Sequence, residues 1–258
     1  MLRWMKKNFT RKSDREPSAP AIGIDVPQGR FDVIYAVGDI HGRLDLLLES
    51  DRKIEADIAE NERALVIYLG DYIDRGPDSR GVIEHLQSHG DLKFMRLCLR
   101  GNHDDVFLSF LEKPLAEWGW LDLGGRETLR SYGIALDPYR DRALGHQALV
   151  EMLNAHVPAT HRQFFSKTRL WARSGDFLFV HAGIQPGMAI ERQEPRDFMW
   201  IREPFLSEGS GLPLTVVHGH TPGAVVSYGP NRIGIDTGAY ATGRLTVLKI
   251  ADGITSEL

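Results

Sequence analysis

ALVIYLGDYIDRG, residues 64–76, is a six-residue apolar run followed by a glycine, two aspartates and an arginine. A short apolar run of this length, bounded by turn residues, reads as a buried β-strand. Asp71 therefore stands in a loop at a strand end. The same pattern recurs outward along the chain: FDVIYAV (31–37) precedes GDIHG (38–42), FMRLCL (94–99) precedes GNHD (101–104), FLFV (177–180) precedes HAG (181–183), and LTVV (214–217) precedes HGHTP (218–222). Separate strands of one sheet can aim loop residues at a single point. Several O and N donors converging from different directions are what a hard or borderline cation needs.

The segments between these strands read as helices. Residues 43–60 place Leu44, Leu47, Leu48, Ile54 and Ile58 at near-helical spacing, and 78–89 repeat the pattern with Val82, Ile83 and Leu86. These are βα units, which predict an α/β (α+β) fold. Residues 104–173 carry amphipathic pieces and few β-branched runs, so they predict a mainly helical insertion beside the site. Residues 214–250 return to short strands divided by glycines.

The chain has 258 residues, 42 % hydrophobic and 26 % charged, enough for one large core, and we expect a single domain over 31–258. A formal net charge of −4 supplies no basic field for nucleic acid, so no nucleic-acid partner is expected. Residues 1–30 differ from the rest: in the first 16 positions Arg3, Lys6, Lys7, Arg11, Lys12 and Arg15 face only Asp14 and Glu16, and Pro17, Pro20 and Pro27 follow. The expectation there is a basic, disordered tail, with a short surface-binding helix as the alternative. No secretory h-region and no membrane span are read. The single cysteine, Cys98, lies in an apolar run and is expected to fill core, which suits a reducing cytoplasm.

The chemistry assembles residue by residue. Asp39 and His41 are two apart between glycines and would hold a first metal; Asp71, whose carboxylate has two oxygens, is placed to bridge two ions. Asn102 offers a neutral oxygen, and His181 and His220 offer imidazoles, to the second. Two divalent ions close together activate a water and clamp an in-line displacement at phosphorus. Any one of these strings alone is weak, because Asp and Asn beside Gly are ordinary turn residues. Five in order after five strands are a different matter, since turns do not require His or Asn at all these places. His85, His89, His146, His156 and His161 lie outside the strings and are read as surface or structural.

GDIHG, GDYIDRGPDS (70–79), LRGNHD (99–104), HAG and HGHTP together resemble the signature of the calcineurin-like metallophosphoesterases, and within them the bacterial and phage serine/threonine branch of the phosphoprotein phosphatases. The resemblance covers about 31–250. It implies a central sandwich of two mixed β-sheets flanked by helices, with a dinuclear site at one edge. Asp39, His41 and Asp71 would hold one metal, and Asp71, Asn102, His181 and His220 the other, with Mn²⁺ expected and Fe²⁺ or Zn²⁺ as alternatives. By the same resemblance His103 would protonate the leaving oxygen, oriented by Asp74, while Arg75 and Arg202 (in MWIREPF, 199–205) would grip phosphate oxygens.

The implied activity is a phosphomonoesterase acting on phosphoserine or phosphothreonine in proteins or peptides, with phosphotyrosine open. A symmetrical diadenosine tetraphosphate hydrolase is the alternative; those relatives often lack the counterpart of Asp74. Nuclease relatives usually read GHTH where this chain has GHTP, and a catalytically dead binding module would have lost ligands that are present here. GNHD for GNHE and HAG for HGG depart from the eukaryotic pattern and bear on the branch. Asp236 and Tyr240, in IDTGAY (235–240), are expected near the site. Trp118 and Trp120 are candidate peptide contacts unless they are core.

Overall fold

The computed structural model describes residues 23–88, 90–137 and 140–258. In chain order the first half holds β1 (Gly23–Asp25), β2 (Val33–Val37), α1 (Leu44–Asp57), β3 (Ala64–Tyr68), α2 (Ser79–Gln87) and β4 (Phe94–Cys98). Helices α3 (Asn102–Glu112), α4 (Gly125–Ser131), α5 (Gly145–His156) and α6 (Ala159–Lys167) follow, with a 3₁₀ turn at Trp118–Leu123. The second half holds β5 (Trp171–Ser174), β6 (Phe177–Val180), α7 (Pro195–Trp200), α8 (Phe205–Glu208), β7 (Thr215–His218), β8 (Ser227–Gly229), β9 (Arg232–Gly234), α9 (Ala239–Thr242), β10 (Val247–Ala251) and β11 (Ile254–Glu257).

The strands form two mixed sheets, one in the order β11-β10-β2-β3-β4 and the other β1-β5-β6-β7-β9-β8. β2, β3 and β4 are parallel neighbours, as are β6, β7 and β9. Every residue of β2 and β3 is buried, because both faces of their sheet are covered. Strand alternation divides the side chains: Ile34, Ala36, Leu65 and Ile67 pack between the sheets with Phe179, Val217 and Ile235. Val33, Tyr35, Val66 and Tyr68 face the helices, against Leu47, Ile54, Val82, Phe107, Phe110 and Phe165. The outer face of the second sheet carries a smaller cluster around Leu178, Val180, Phe198 and Phe205.

The expected strands and helices fall where periodicity placed them, and two boundaries move. The tail expected over 1–30 lies outside the described residues as far as 22. From Gly23 the chain is already in a sheet, with β1 parallel to β5, Val26 N–H donating to Arg173 C=O and Arg173 pairing with Asp25. Three residues are too few to carry an alternating signal, and their partner lies about 150 positions away. The mainly helical stretch expected over 104–173 is helical through Lys167. It then turns into β5, which forms a hairpin with β6.

His218 ends β7 fully buried, its Nδ1 3.0 Å from Gly219 C=O, its Nε2 without a partner and its ring edge-on to Phe205. Burial pushes its pKa down to about 4. An unfolded chain would protonate this ring near pH 6.5, so the unfolded state binds more protons throughout the window from 6.5 down to 4, and acidification there costs the fold stability. The two pKa values set that loss at roughly 3 kcal/mol. Denaturant melts at pH 7 and pH 4.5 are expected to differ less in His218→Leu than in the parent chain. Identical pH slopes would mean that the ring takes up no proton on unfolding.

Candidate metal centre and active site

The quoted strings meet at the C-terminal ends of parallel strands in both sheets. Asp39 and His41 follow β2, Asp71 and Asp74 follow β3, and Asn102 and His103 open α3 after β4. From the other sheet come His181 after β6, His220 after β7 and Asp236 after β9. All nine are buried. The backbone is bent hard to bring them inward: His41, Asp71, Asp74, Arg75 and His220 all have positive φ, between 45° and 75°. Non-glycine residues rarely adopt that region, and such strain collects where a site requires it. Close approach is the other local demand: a Cβ on Gly101 would overlap the Asp71 carboxylate, and one on Gly219 would overlap that of Asp39.

Asp71 lies at the centre. Its Oδ2 is 3.6 Å from His41 Nε2 and 3.9 Å from His103 Nε2, whereas its Oδ1 is 3.5 Å from His181 Nε2. Ligand atoms of His41, Asp71 and His103 all lie within 4.8 Å of one another, as do those of Asp39, Asp71 and His181. Both groups share Asp71. Hydrogen bonds orient the imidazoles: His41 Nδ1 is 2.7 Å from Ile73 C=O, and His181 Nδ1 is 3.0 Å from Leu69 C=O. With Nδ1 donating, each ring turns an Nε2 lone pair toward the centre. His181 Nε2 then meets Asn102 Oδ1 at 2.9 Å, and His220 Nδ1 meets the same oxygen at 2.8 Å. For His181 an acceptor then faces an acceptor, which at that distance requires a proton or a cation between them, so this donor set fits divalent metal.

The electrostatics agree. Burial lowers the pKa of His41, His181 and His220, which keeps them in the neutral form that ligates. Burial, Asp236 and Asp71 together raise that of Asp39 well above the carboxylate range. Burial also works against the charge on Asp71, but His181, His103, His41 and His220 outweigh it and hold its carboxyl low. The charge of Asp236 disfavours ionisation of Asp39, a repulsion that a cation would relieve.

Beside the ligands lies a second device. His103 Nδ1 is 2.6 Å from Asp74 Oδ2, and Asp74 is completely buried. Trp120 Nε1 donates to the same oxygen at 2.7 Å, and Thr128 Oγ1 donates to Oδ1 at 2.6 Å. Burial disfavours the His103 imidazolium, yet the charges of Asp71 and Asp74 outweigh it and its pKa stands above the ordinary value. Arg75 lies across the mouth, with Nη1 2.7 Å from His41 Nε2, Nη2 2.9 Å from His103 Nε2, and its guanidinium 4.7 Å over the Tyr240 ring. Arg202 is exposed and stands close enough for its charge to oppose the His220 imidazolium.

Trp120 is core, not a peptide contact, and Trp118 packs half-buried against the same cluster. Sequence reading missed the bond from Trp120 to Asp74 and the parts played by Thr128 and Asp104. Asp104, one turn into α3, accepts from the N–H groups of Asp71, Tyr72 and Gly101 and so ties the β3 loop to the β4 loop. Its place as the last residue of GNHD, in the first turn of a helix, was the available signal. Trp120→Phe keeps the packing and removes one donor from Asp74. Because a hydrogen bond to a charged group contributes about 1.5–3 kcal/mol, the variant is expected to lose roughly ten- to hundredfold in kcat/KM on alkyl phosphates, with bound metal unchanged. A variant as active as the parent would reduce the bond to packing.

His161 and His85 are structural, as expected: the first bonds Tyr132 and the second bonds Asp51. His89 lies outside the described residues.

Comparison with known proteins places these features in a family. Over 222 residues the chain is 27 % identical to serine/threonine-protein phosphatase 1 of Salmonella typhimurium, a match that covers 84 % of this chain and 91 % of that protein. It is 34 % identical over 158 residues to the symmetrical bis(5'-nucleosyl)-tetraphosphatase of an Acidovorax species, covering 61 % of this chain but only 46 % of the relative. Among solved structures, a candidate diadenosine tetraphosphatase superposes with a TM-score of 0.63 at 20 % identity, over 93 % of this chain and 98 % of that one. The calcineurin-like phosphoesterase model matches residues 33–248, which span every ligand string and the strands from β2 to β9. The chain belongs to the calcineurin-like phosphoesterases, a family whose members bind two divalent metal ions.

Proposed function

We propose that the chain is a phosphomonoesterase dependent on two divalent metals, a protein serine/threonine phosphatase. Asp39, His41 and Asp71 would hold one ion, and Asp71, Asn102, His181 and His220 the other. The two oxygens of Asp71, facing different imidazoles, support its place between them. When bound, such ions supply Lewis acidity: they make coordinated water more acidic and neutralise phosphoryl charge. Nitrogen and oxygen ligands without thiolate suit Mn²⁺, Fe²⁺ or Zn²⁺, and the proposal takes Mn²⁺ as the expected metal.

The single observation that carries the monoester reading is the His103–Asp74 pair. A serine or threonine alkoxide is a poor leaving group, and a placed acid contributes roughly 10²–10⁴ in rate. Asp74 fixes the His103 tautomer, so Nε2 is the nitrogen that carries the transferable proton. In the present arrangement that nitrogen accepts from Arg75. A phosphate entering the mouth would draw the guanidinium to its own oxygens, since the planar fork matches them, and so release Nε2 for protonation. Arg202, exposed and close enough for its charge to act on His220, would serve as a second cation for the phosphate.

The near full-length match to a serine/threonine phosphatase supports the same reading. Symmetrical tetraphosphatase activity is the second reading, favoured by the higher identity over a shorter span. Among the described residues no helix is long and apolar enough to cross a membrane; the proposal extends to a cytoplasmic phosphoprotein as substrate. The deciding experiment loads the protein with Mn²⁺ and compares kcat/KM on phosphoserine, phosphothreonine and phosphotyrosine peptides, p-nitrophenyl phosphate and diadenosine tetraphosphate. The phosphoserine and phosphothreonine peptides are expected to lead. A preference for the dinucleotide would replace this reading with the second.

A further inference from the structure

Arg75 is held from three sides. Its backbone is fixed: φ is 69°, its N–H donates to Gly124 C=O at 3.2 Å, and a Cβ on Gly124 would overlap the Arg75 nitrogen. Only the end of the side chain is left to choose partners. It gives its fork to two imidazole nitrogens, His41 Nε2 and His103 Nε2, and its face to the Tyr240 ring. The carboxylates of the site, Asp39, Asp71 and Asp74, stand against imidazoles instead.

The two imidazole nitrogens are not lasting partners for Arg75. Under the proposed function a metal would take the lone pair of His41 Nε2 and a proton that of His103 Nε2, and either event leaves an Arg75 N–H without its acceptor. The ring face makes no demand on those lone pairs. A cation over an aromatic face is attracted by the ring quadrupole, without the narrow direction of a hydrogen bond. The fork can therefore turn toward an anion while its central carbon stays over the ring.

Tyr240 is held in place by its own turn. It is the second residue of α9, which Gly238 opens in the left-handed region at φ 65°. The turn is closed on itself, with Gly238 N–H donating to Asp236 Oδ1 at 2.9 Å and Thr242 Oγ1 to Thr237 C=O at 2.9 Å. Arg43, the residue after GDIHG, ties this turn to the first ligand loop: its Nη1 donates to Ala239 C=O at 2.9 Å, 196 positions away. Asp45 fixes the rest of that guanidinium, accepting from Nε at 2.8 Å and Nη2 at 2.6 Å. Ala239 is buried and Tyr240 is 40 % exposed, so the ring projects from an anchored backbone. It also stands edge-on to the His41 ring, with centroids 5.4 Å apart, which limits its tilt.

We propose that Tyr240 is the positioning residue of the phosphate clamp: its ring keeps the Arg75 guanidinium at the mouth when the imidazoles release it, and Arg43 holds the turn that presents the ring. The part belongs to the ring and not to the phenol oxygen. The proposal rests on the phosphate contact assigned to Arg75 under the proposed function, and it is independent of which phosphoester is cleaved.

The test measures inorganic phosphate binding to the Mn²⁺-loaded protein by titration calorimetry, beside kcat and KM on p-nitrophenyl phosphate, with bound metal and melting temperature checked in each variant. A half-exposed cation–π contact corresponds to about a three- to tenfold factor in an equilibrium constant. Tyr240→Leu is expected to weaken phosphate binding and raise KM by that factor. Its kcat should change far less, because the contact serves the phosphate equally before and during reaction. Tyr240→Phe keeps the face and is expected to match the parent. Arg43→Met keeps the stem but not the bond to Ala239, and should weaken phosphate binding in the same direction as Tyr240→Leu. In an Arg75→Gln background, where no cation lies over the ring, Tyr240→Leu is expected to add nothing, since residues that act through one another are not additive. Equal losses in Tyr240→Phe and Tyr240→Leu would give the effect to the hydroxyl, and additive losses in the double variant would put Tyr240 on the phosphate directly. Either result would overturn the proposal, as would the parent's phosphate affinity in Tyr240→Leu or Arg43→Met beside a weakened Arg75→Gln. Unchanged phosphate affinity in Arg75→Gln would fail one step earlier, removing the clamp itself and the proposal with it.

Discussion

Asp71→Asn is expected to lose divalent metal and activity together. The substituted amide is nearly the same size as the carboxylate, so folding is spared, but a buried neutral group replaces the one charge around which His41, His103, His181 and His220 converge. Removing one partner from a buried charge pair costs roughly 3–5 kcal/mol. At 1.36 kcal/mol per factor of ten, that corresponds to a fall of about two to four powers of ten in metal affinity. Elemental analysis after gel filtration checks the first loss and kcat/KM the second. Two ions retained in an inactive variant would remove Asp71 from its place between the metals while leaving it a part in catalysis.

His103→Asn separates a proton donor from a ligand. If His103 acts on the leaving oxygen, the variant keeps both metals and slows phosphoserine hydrolysis by roughly 10²–10⁴. The loss should shrink on p-nitrophenyl phosphate, whose leaving group is acidic and gains little from a proton. Asp74→Asn should follow the same pattern, because it removes the carboxylate that holds the His103 tautomer. A different outcome is informative on its own terms: His103 is one of the three residues in a ligand-competent group with His41 and Asp71. Loss of one metal with equal damage on both substrates would make it a ligand.

The ligand strings were legible because their residue types are rare where they stand. A turn tolerates Asp and Gly, but it has no use for His41, His103, His181 and His220 after four separate strands, and the structure brings all four to one point. The strands were legible because both faces of β2 and β3 are covered, which makes their runs continuously apolar. What supports the site was not legible. Trp120 lies 46 positions and Thr128 54 positions from the Asp74 carboxyl that each bonds. Both stand in segments whose local pattern is simply helical or apolar, so nothing near them in the chain points to a carboxylate. β1 was hidden for the same reason, since its pairing energy comes from β5 and not from its own three residues. Sequence pattern reports what a segment presents to a solvent or a core; it carries little about which distant segment arrives opposite.

The proposed ligands reach the centre from both sheets: Asp39, His41, Asp71 and Asn102 from one, His181 and His220 from the other. Metal held there would therefore also be a clasp across the interlayer seam, at the end of the sandwich where Asn102 from one sheet already meets His181 and His220 from the other. Ligand that binds only the folded state stabilises it by RT ln(1 + [L]/Kd), about 2.7 kcal/mol at a hundredfold excess over Kd. Thermal endurance of this protein should thus track the divalent metal around it. In metal-poor surroundings the chain would forfeit persistence as well as turnover, which couples how long each molecule survives to whether it can work.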